Sequence, residues 1–310
     1  YPPKNHWIYE QDSIGQLWEN HIRFGKQPDT RKPRHPLLKV DHSKLQLVIK
    51  ASENHIVRDA KTNEIVAVVI RDFCGHPGVL EWVDEVLQLE DAGKLAQIGY
   101  SAGSRSKPKF SWVKNLLSQA LSPEFVEGLD CSSSSAFALF WNMCRSILPP
   151  EIISDFNDYL AANNMCRMDT SIQNDSKFGK YAVGAGDNDF YAFHCAEMAP
   201  PTGVFACNYA RATHNENQPH KYALAMTTGR VGKPGDGGHF YICKYGICIE
   251  SAANTLVAWI PKHVHGTSLQ RRDPNDDAPE FRQTGLAIVT SSRIVRVWKK
   301  YLSEEITREE

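Results

Sequence analysis

Two short stretches carry the residue types that metal chemistry needs. In Tyr209-Ala-Arg-Ala-Thr-His214-Asn-Glu216-Asn-Gln-Pro, an imidazole and a carboxylate stand two positions apart at the end of a predicted strand. Residues i and i+2 of an extended chain point to the same side, so His214 and Glu216 are presented together at the rim of a sheet. In Trp259-Ile-Pro-Lys-His263-Val-His265-Gly-Thr-Ser-Leu, a second predicted strand ends beside two more histidines. If the two strands are neighbours, two imidazoles and one carboxylate converge. That donor set is the facial triad of non-haem Fe(II) oxygenases, which leaves coordination positions open for dioxygen and a co-substrate. The imidazoles bind as neutral bases, so metal affinity falls in acid. His239 and His263 are rival ligands to His265.

A 2-oxoglutarate co-substrate also needs a cation for its distal carboxylate. The planar guanidinium of arginine suits this because it pairs a carboxylate bidentately. Arg282 opens the last predicted strand, Phe281-Arg282-Gln-Thr-Gly-Leu-Ala-Ile-Val, whereas Arg271 and Arg272 lie in a polar loop. Asn208 is a candidate hydrogen-bond partner for the co-substrate. Asp236 and His239, in Lys-Pro-Gly-Asp-Gly-Gly-His, are candidate substrate contacts, with a plain hairpin turn as the simpler reading of Asp236.

The elements that must position these residues change character along the chain. Residues 1 to about 40 are rich in proline and positive charge, with Arg31-Lys32-Pro33-Arg34 the densest run. Residues 45–71 read as two strands around a turn, and 79–93 as an amphipathic helix. Residues 99–110 read as a glycine-, serine- and lysine-rich loop, 111–147 as two helical pieces broken at Ser122-Pro123, and 150–163 as a further helix. The serine run after Cys131 lacks a nucleophile elbow and reads as a helix start. His194-Cys195-Ala-Glu197 lacks a partner set and reads as structural. After residue 180, short β-prone runs follow at close spacing, separated by Gly, Pro, Asn and Asp turns. The expected fold is α+β: one domain, with an N-terminal α/β buttress (1–180) packed on a double-stranded β-helix, or jelly-roll, core (181–300).

Composition narrows the function classes. The 310 residues are 42% apolar and 23% charged, with a net charge of -1. A nonspecific nucleic-acid coater is strongly basic, so any contact with DNA must run through a local patch. Arg105, Lys107 and Lys109, with Lys114 and the aromatics Phe110 and Trp112, form the candidate patch. The eight cysteines make no CxxC pair and read as reduced thiols of a nuclear or cytoplasmic, not secreted, protein. No apolar run reaches the ~18 residues a membrane helix needs.

Taken together, His214-x-Glu216, His265-Gly-Thr-Ser-Leu and Arg282 resemble the TET/JBP branch of 2-oxoglutarate oxygenases. Asn-Tyr-Ala-Arg (208–211) resembles fungal members associated with it. The resemblance covers roughly residues 180–300. It implies Fe(II) and 2-oxoglutarate as cofactors and oxidation of methyl groups on DNA bases, 5-methylcytosine or N6-methyladenine. It also implies extrusion of the target base from the duplex. One departure stands out: the family motif is His-x-Asp, and Glu216 adds a methylene. Two other readings follow from the same residues. One is the same iron chemistry on a small molecule or protein side chain; the other is a catalytically silent jelly roll that binds DNA or a protein.

Overall fold

The computed structural model describes residues 1–24, 35–87, 95–104, 106–113, 122–170, 177–186 and 189–306. The basic run 31–34, Arg105 and Lys114 lie outside them.

The chain opens with β1 (Trp7–Tyr9), α1 (Asp12–Phe24) and β2 (Leu37–Lys39), the two strands pairing in parallel. Next come β3 (Leu47–Ile49), β4 (His55–Arg58), β5 (Ile65–Arg71), α2 (Pro77–Leu87) and a hairpin of β6 (Leu95–Gly103) with β7 (Pro108–Trp112). Two helices, α3 (Pro123–Ile147) and α4 (Pro150–Ala162), lead to a second hairpin, β8 (Phe178–Gly184) with β9 (Phe190–Glu197). Eight strands then follow in close succession. They are β10 (Thr202–Cys207), β11 (Arg211–His214), β12 (Ala223–Val231), β13 (Phe240–Ile242), β14 (Ile247–Ile249), β15 (Thr255–Trp259), β16 (His265–Thr267) and β17 (Arg282–Ile288). Helix α5 (Ser292–Leu302) comes last.

One sheet has the strand order β4-β5-β15-β12-β17-β10-β6-β7, and a second has β11-β16-β13-β14-β3. From β10 to β17 the chain changes sheet at every step except the β13–β14 hairpin. Strict alternation gives each strand of the large sheet two working faces. Phe205, Leu224, Met226, Leu256, Leu286 and Ile288 pack outward against Phe137, Phe140 and Trp141 of α3 and Phe156 of α4. Their sequence neighbours Val204, Ala225, Val257 and Ala287 face the other way and line a cavity shared with the small sheet. Gly203 shows how close the helix layer comes: a Cβ there would sit 2.3 Å from the Phe137 ring.

Several elements depart from the sequence reading. The runs at 45–50 and 64–71 do not pair: β3 joins the small sheet and β5 the large one, with β4 between them in sequence. The glycine- and lysine-rich stretch 99–110 is mostly hairpin, because Tyr100 and Phe110 are buried and stack at 4.7 Å beneath Trp298 of α5. The serine run lies inside α3, where Ser133, Ser134 and Ser135 are buried and Ser134 Oγ donates to Met168 O. Ser122 is the residue that caps this helix, accepting from Phe125 N. Strands β3 to β7 belong to the two main sheets, so those sheets draw on both sides of residue 180.

Candidate metal centre

β11 and β16 are antiparallel neighbours in the small sheet, and their register sets His214 directly opposite His265. The rings lie 4.4 Å apart between centroids. Glu216 follows two residues after His214; its amide donates to Pro261 O in the turn that precedes His263. Its carboxylate Oε1 lies 3.2 Å from His214 Nε2. One potential ligand atom from each of His214, Glu216 and His265 fits within a common 4.8 Å.

The ring orientations are fixed from behind. His214 Nδ1 is 2.8 Å from Ala212 O, and His265 Nδ1 is 2.8 Å from His263 O. A carbonyl can only accept, so each Nδ1 carries the hydrogen and turns Nε2 toward the cavity side, the arrangement a histidine needs to hold a metal. His214 Nε2 and the Glu216 oxygen are then two acceptors at 3.2 Å, which only a shared cation, proton or metal ion, makes favourable. A proton shared with His214 holds Glu216 down to about 2; burial opposes this, and the charges of Arg211 and the two histidines add to the lowering. Burial pushes His265 down to about 4, with His214 helping. The site therefore offers one ionised carboxylate and a neutral His265 at neutral pH, a donor set suited to Fe(II).

The triad opens on a cavity of about 230 Å³ between the sheets. Phe240 and Trp259 flank His265, with ring centroids 5.7 and 5.8 Å away. Among the described residues, the buried Trp259 Nε1 finds no hydrogen-bond partner, and Trp259 lines the cavity. Arg71 and Arg211 are the arginines on the cavity wall. Arg71 is already held by Glu53 O, Lys50 O, Glu250 O and Thr255 Oγ1. Arg211 contacts Glu216 Oε1 at 2.6 Å.

Sequence reasoning brought His214, Glu216 and His265 together but passed over Arg211 as a site residue. A plain strand would turn Arg211 and His214 to opposite faces. The β11–β16 register shifts between them, so the four residues 211–214 of β11 lie against the three residues 265–267 of β16. Such a bulge re-aims a side chain and is invisible to a period-two pattern.

The other candidates lie elsewhere. Arg282 does not line the cavity; with Thr284, Leu286 and Ile288 it falls on the helix-facing register of β17, where it pairs with Asp84 of α2 at 3.2 Å. Asn208 is buried at φ 53° and clamps β17 to the end of β10: its amide donates to Gln283 O and its Oδ1 accepts from Gln283 N. Asp236 is engaged by Arg271 at 2.7 Å and by Lys233 N. His239 donates from Nε2 to Pro234 O and accepts at Nδ1 from Ser251 N, which leaves neither nitrogen for a metal or a base. His263 meets Lys244 Nζ at 2.9 Å rather than the triad. Lys107 and Lys109 sit at the far end of the β6–β7 hairpin. Leu95, at the near end of β6, lines the cavity, and eight strand steps separate it from Gly103, about 26 Å.

No protein-family model and no curated protein matches the chain. Among solved structures, it is similar to NgTET1 in complex with 5mC DNA, at 8% identity over 91% of this chain and 88% of that one, with a TM-score of 0.47. It is also similar to the viral collagen prolyl hydroxylase of Paramecium bursaria Chlorella virus-1 in its 2OG complex (7% identity, 75% and 99% covered, TM-score 0.30). A third similar structure is IDO from Bacillus thuringiensis (14% identity, 73% and 93% covered, TM-score 0.31).

Proposed function

We propose that the chain is an Fe(II)- and 2-oxoglutarate-dependent oxygenase built on a double-stranded β-helix. The observation that carries this reading is the pairing of β11 with β16. It sets His214 opposite His265 and Glu216 3.2 Å from His214, with both Nδ1 atoms anchored on carbonyls. The alternation of β10 to β17 between two sheets is the wiring of a jelly roll and supports the fold assignment. His214, Glu216 and His265 would hold the metal, which with the 2-oxo acid supplies the oxidation of an unactivated C–H bond. Arg211 is placed to pair with a carboxylate brought to the metal, and Trp259 Nε1 to donate to an oxygen in the cavity. The apolar walls, Val204, Ala225, Val257 and Ala287, keep bulk water from the reacting centre.

The resemblance of His214-x-Glu216 and His265-Gly-Thr-Ser-Leu to the TET/JBP branch points to methyl groups of DNA bases as substrate, in a nuclear or cytoplasmic setting. The test is mass spectrometry of DNA carrying 5-methylcytosine or N6-methyladenine after incubation with the protein, Fe(II), 2-oxoglutarate and ascorbate. Oxidised bases and succinate are expected. Unchanged bases with succinate release driven by a small molecule or peptide would move the same chemistry to another substrate. No metal binding at all would leave a silent binding module.

A further inference from the structure

Beside the triad, on three separate segments, lies a group of cations that the site does not use. Lys4 belongs to the N-terminal segment that is stapled to β11: Asn5 N donates to Thr213 O, and Thr213 Oγ1 donates to Pro3 O. Lys262 follows Pro261, whose carbonyl holds the Glu216 amide. Lys244 begins the β13–β14 turn, next to Cys243, whose amide donates to Val264 O. All three lysines are exposed and line one open notch of about 550 Å³, floored by Pro2, Cys243 and Val264. His263 forms the fourth wall and seats Lys244, its Nε2 accepting from Nζ at 2.9 Å.

Among the described residues, no carboxylate lies within 4 Å of Lys4, Lys244 or Lys262. The acids whose charge reaches His263 are Glu64 and Asp59. Glu64 is taken by Lys221 at 2.6 Å, and Asp59 by the Tyr245 hydroxyl and the amides of Lys61 and Thr62. In a chain of net charge -1, three ammonium groups without a carboxylate partner among the described residues, one of them over the Tyr245 ring, make a local positive field around the notch. Lysine binds phosphate as a point charge, without the geometric demand of a guanidinium fork.

We infer that the Lys4–Lys244–Lys262 notch binds phosphate groups of a nucleic-acid backbone and so holds the strand whose base enters the iron site. The openness of the notch fits a polymer running across it, and its anchoring to β11 and to the Pro261 turn ties strand and metal to one rigid edge. This deepens the base-oxygenase reading and rests on it.

The test measures binding of the full chain to a fluorescein-labelled, unmethylated duplex by anisotropy over a salt series. The double variant Lys244→Glu/Lys262→Glu should bind at least ten-fold more weakly. Its plot of log affinity against log salt should be shallower by about 2, for two lost phosphate contacts. Lys244→Ala/Lys262→Ala should show a smaller change of the same sign, which covers a charge reversal that disturbs folding. Lys107→Glu/Lys109→Glu should leave both quantities unchanged. Succinate release in the absence of DNA should be equal in all variants. Wild-type affinity and salt slope in both notch variants would overturn the inference; if the wild type still oxidises methylated bases, the base-oxygenase reading survives alone. No DNA binding by the wild type, with methylated bases unchanged, would end both.

Discussion

Glu197 and Glu216 are both carboxylates set among cations, and they do opposite things. Glu197, at the end of β9, is 4% exposed. It meets Arg145 and Arg167 at 3.1 Å, Lys177 at 3.7 Å and the Trp141 indole at 3.3 Å. Its oxygens are surrounded by donors, and the cluster ties α3 and the buried Arg167 to the end of β9. Glu216 has one arginine and one imidazole, borders a cavity, and faces nitrogens whose lone pairs have no protein donor. A carboxylate saturated with donors is structural; one set beside imidazole nitrogens at the edge of a cavity has room for a cation. His194-Cys195-Ala-Glu197 and His214-Asn-Glu216 look alike as strings, and only the partners separate them.

The sharpest way to break this contrast is to remove each carboxylate in turn. Glu197→Ala strands the buried Arg167 guanidinium and should cost about 3–5 kcal/mol, read by urea denaturation. Glu216→Ala leaves a half-exposed Arg211 free to meet water and should change stability by about 1 kcal/mol or less. Equal losses would mean that Glu216, too, is a structural ion pair.

The second experiment exchanges stability for metal. His214→Ala should lower Fe(II) affinity more than about 100-fold in anaerobic calorimetry, since losing even an outer-shell partner costs 10–100-fold. Glu216→Asp keeps the charge and retreats by one methylene, so a loss of about ten-fold is expected. Metal binding unaffected by His214→Ala would remove the iron site altogether.

How far these contrasts were legible beforehand follows from which pattern carries them. The convergence of His214, Glu216 and His265 was legible because each lies at or just past a strand end, with His214 and Glu216 two positions apart. Arg282 shows that the same period cuts both ways: a strand position gives parity, but only the partner strands say which parity faces in. Arg282 falls on the helix side, and Gln283 takes the cavity side. Arg211 was hidden by a bulge. The β6–β7 hairpin was taken for a loop because its burial comes from α5, almost two hundred residues later in sequence. Local composition has no access to such a contact.

Acid should expose the open site next. His265, His220 and His239 are each pushed down to about 4, chiefly by burial. Between pH 6.5 and 4 the unfolded chain takes up protons that these three folded residues refuse. Stability of the metal-free protein therefore falls as pH drops through that window and is fully present above it. Metal binding has the same sign. Glu216 stays ionised down to about 2 and His265 neutral down to about 4, so protonation of His265 should add a loss of affinity as pH falls below about 4. No further loss of affinity below about pH 4 would show that His265 does not ligate the metal.

The smallest effect divides the two faces of β17. Arg282 is 36% exposed and paired with Asp84, which also accepts from Thr228 Oγ1. Removing its guanidinium should cost about 1 kcal/mol or less and leave the KM for 2-oxoglutarate unchanged, because its partner lies in the helix layer. Arg211→Ala, by contrast, should raise that KM several-fold with little change in melting temperature, because its guanidinium borders the cavity. If the two arginines exchanged outcomes in this steady-state comparison, the carboxylate of the co-substrate would lie at the Asp84 end of β17, and the cavity between the sheets would lose its claim to be the active site.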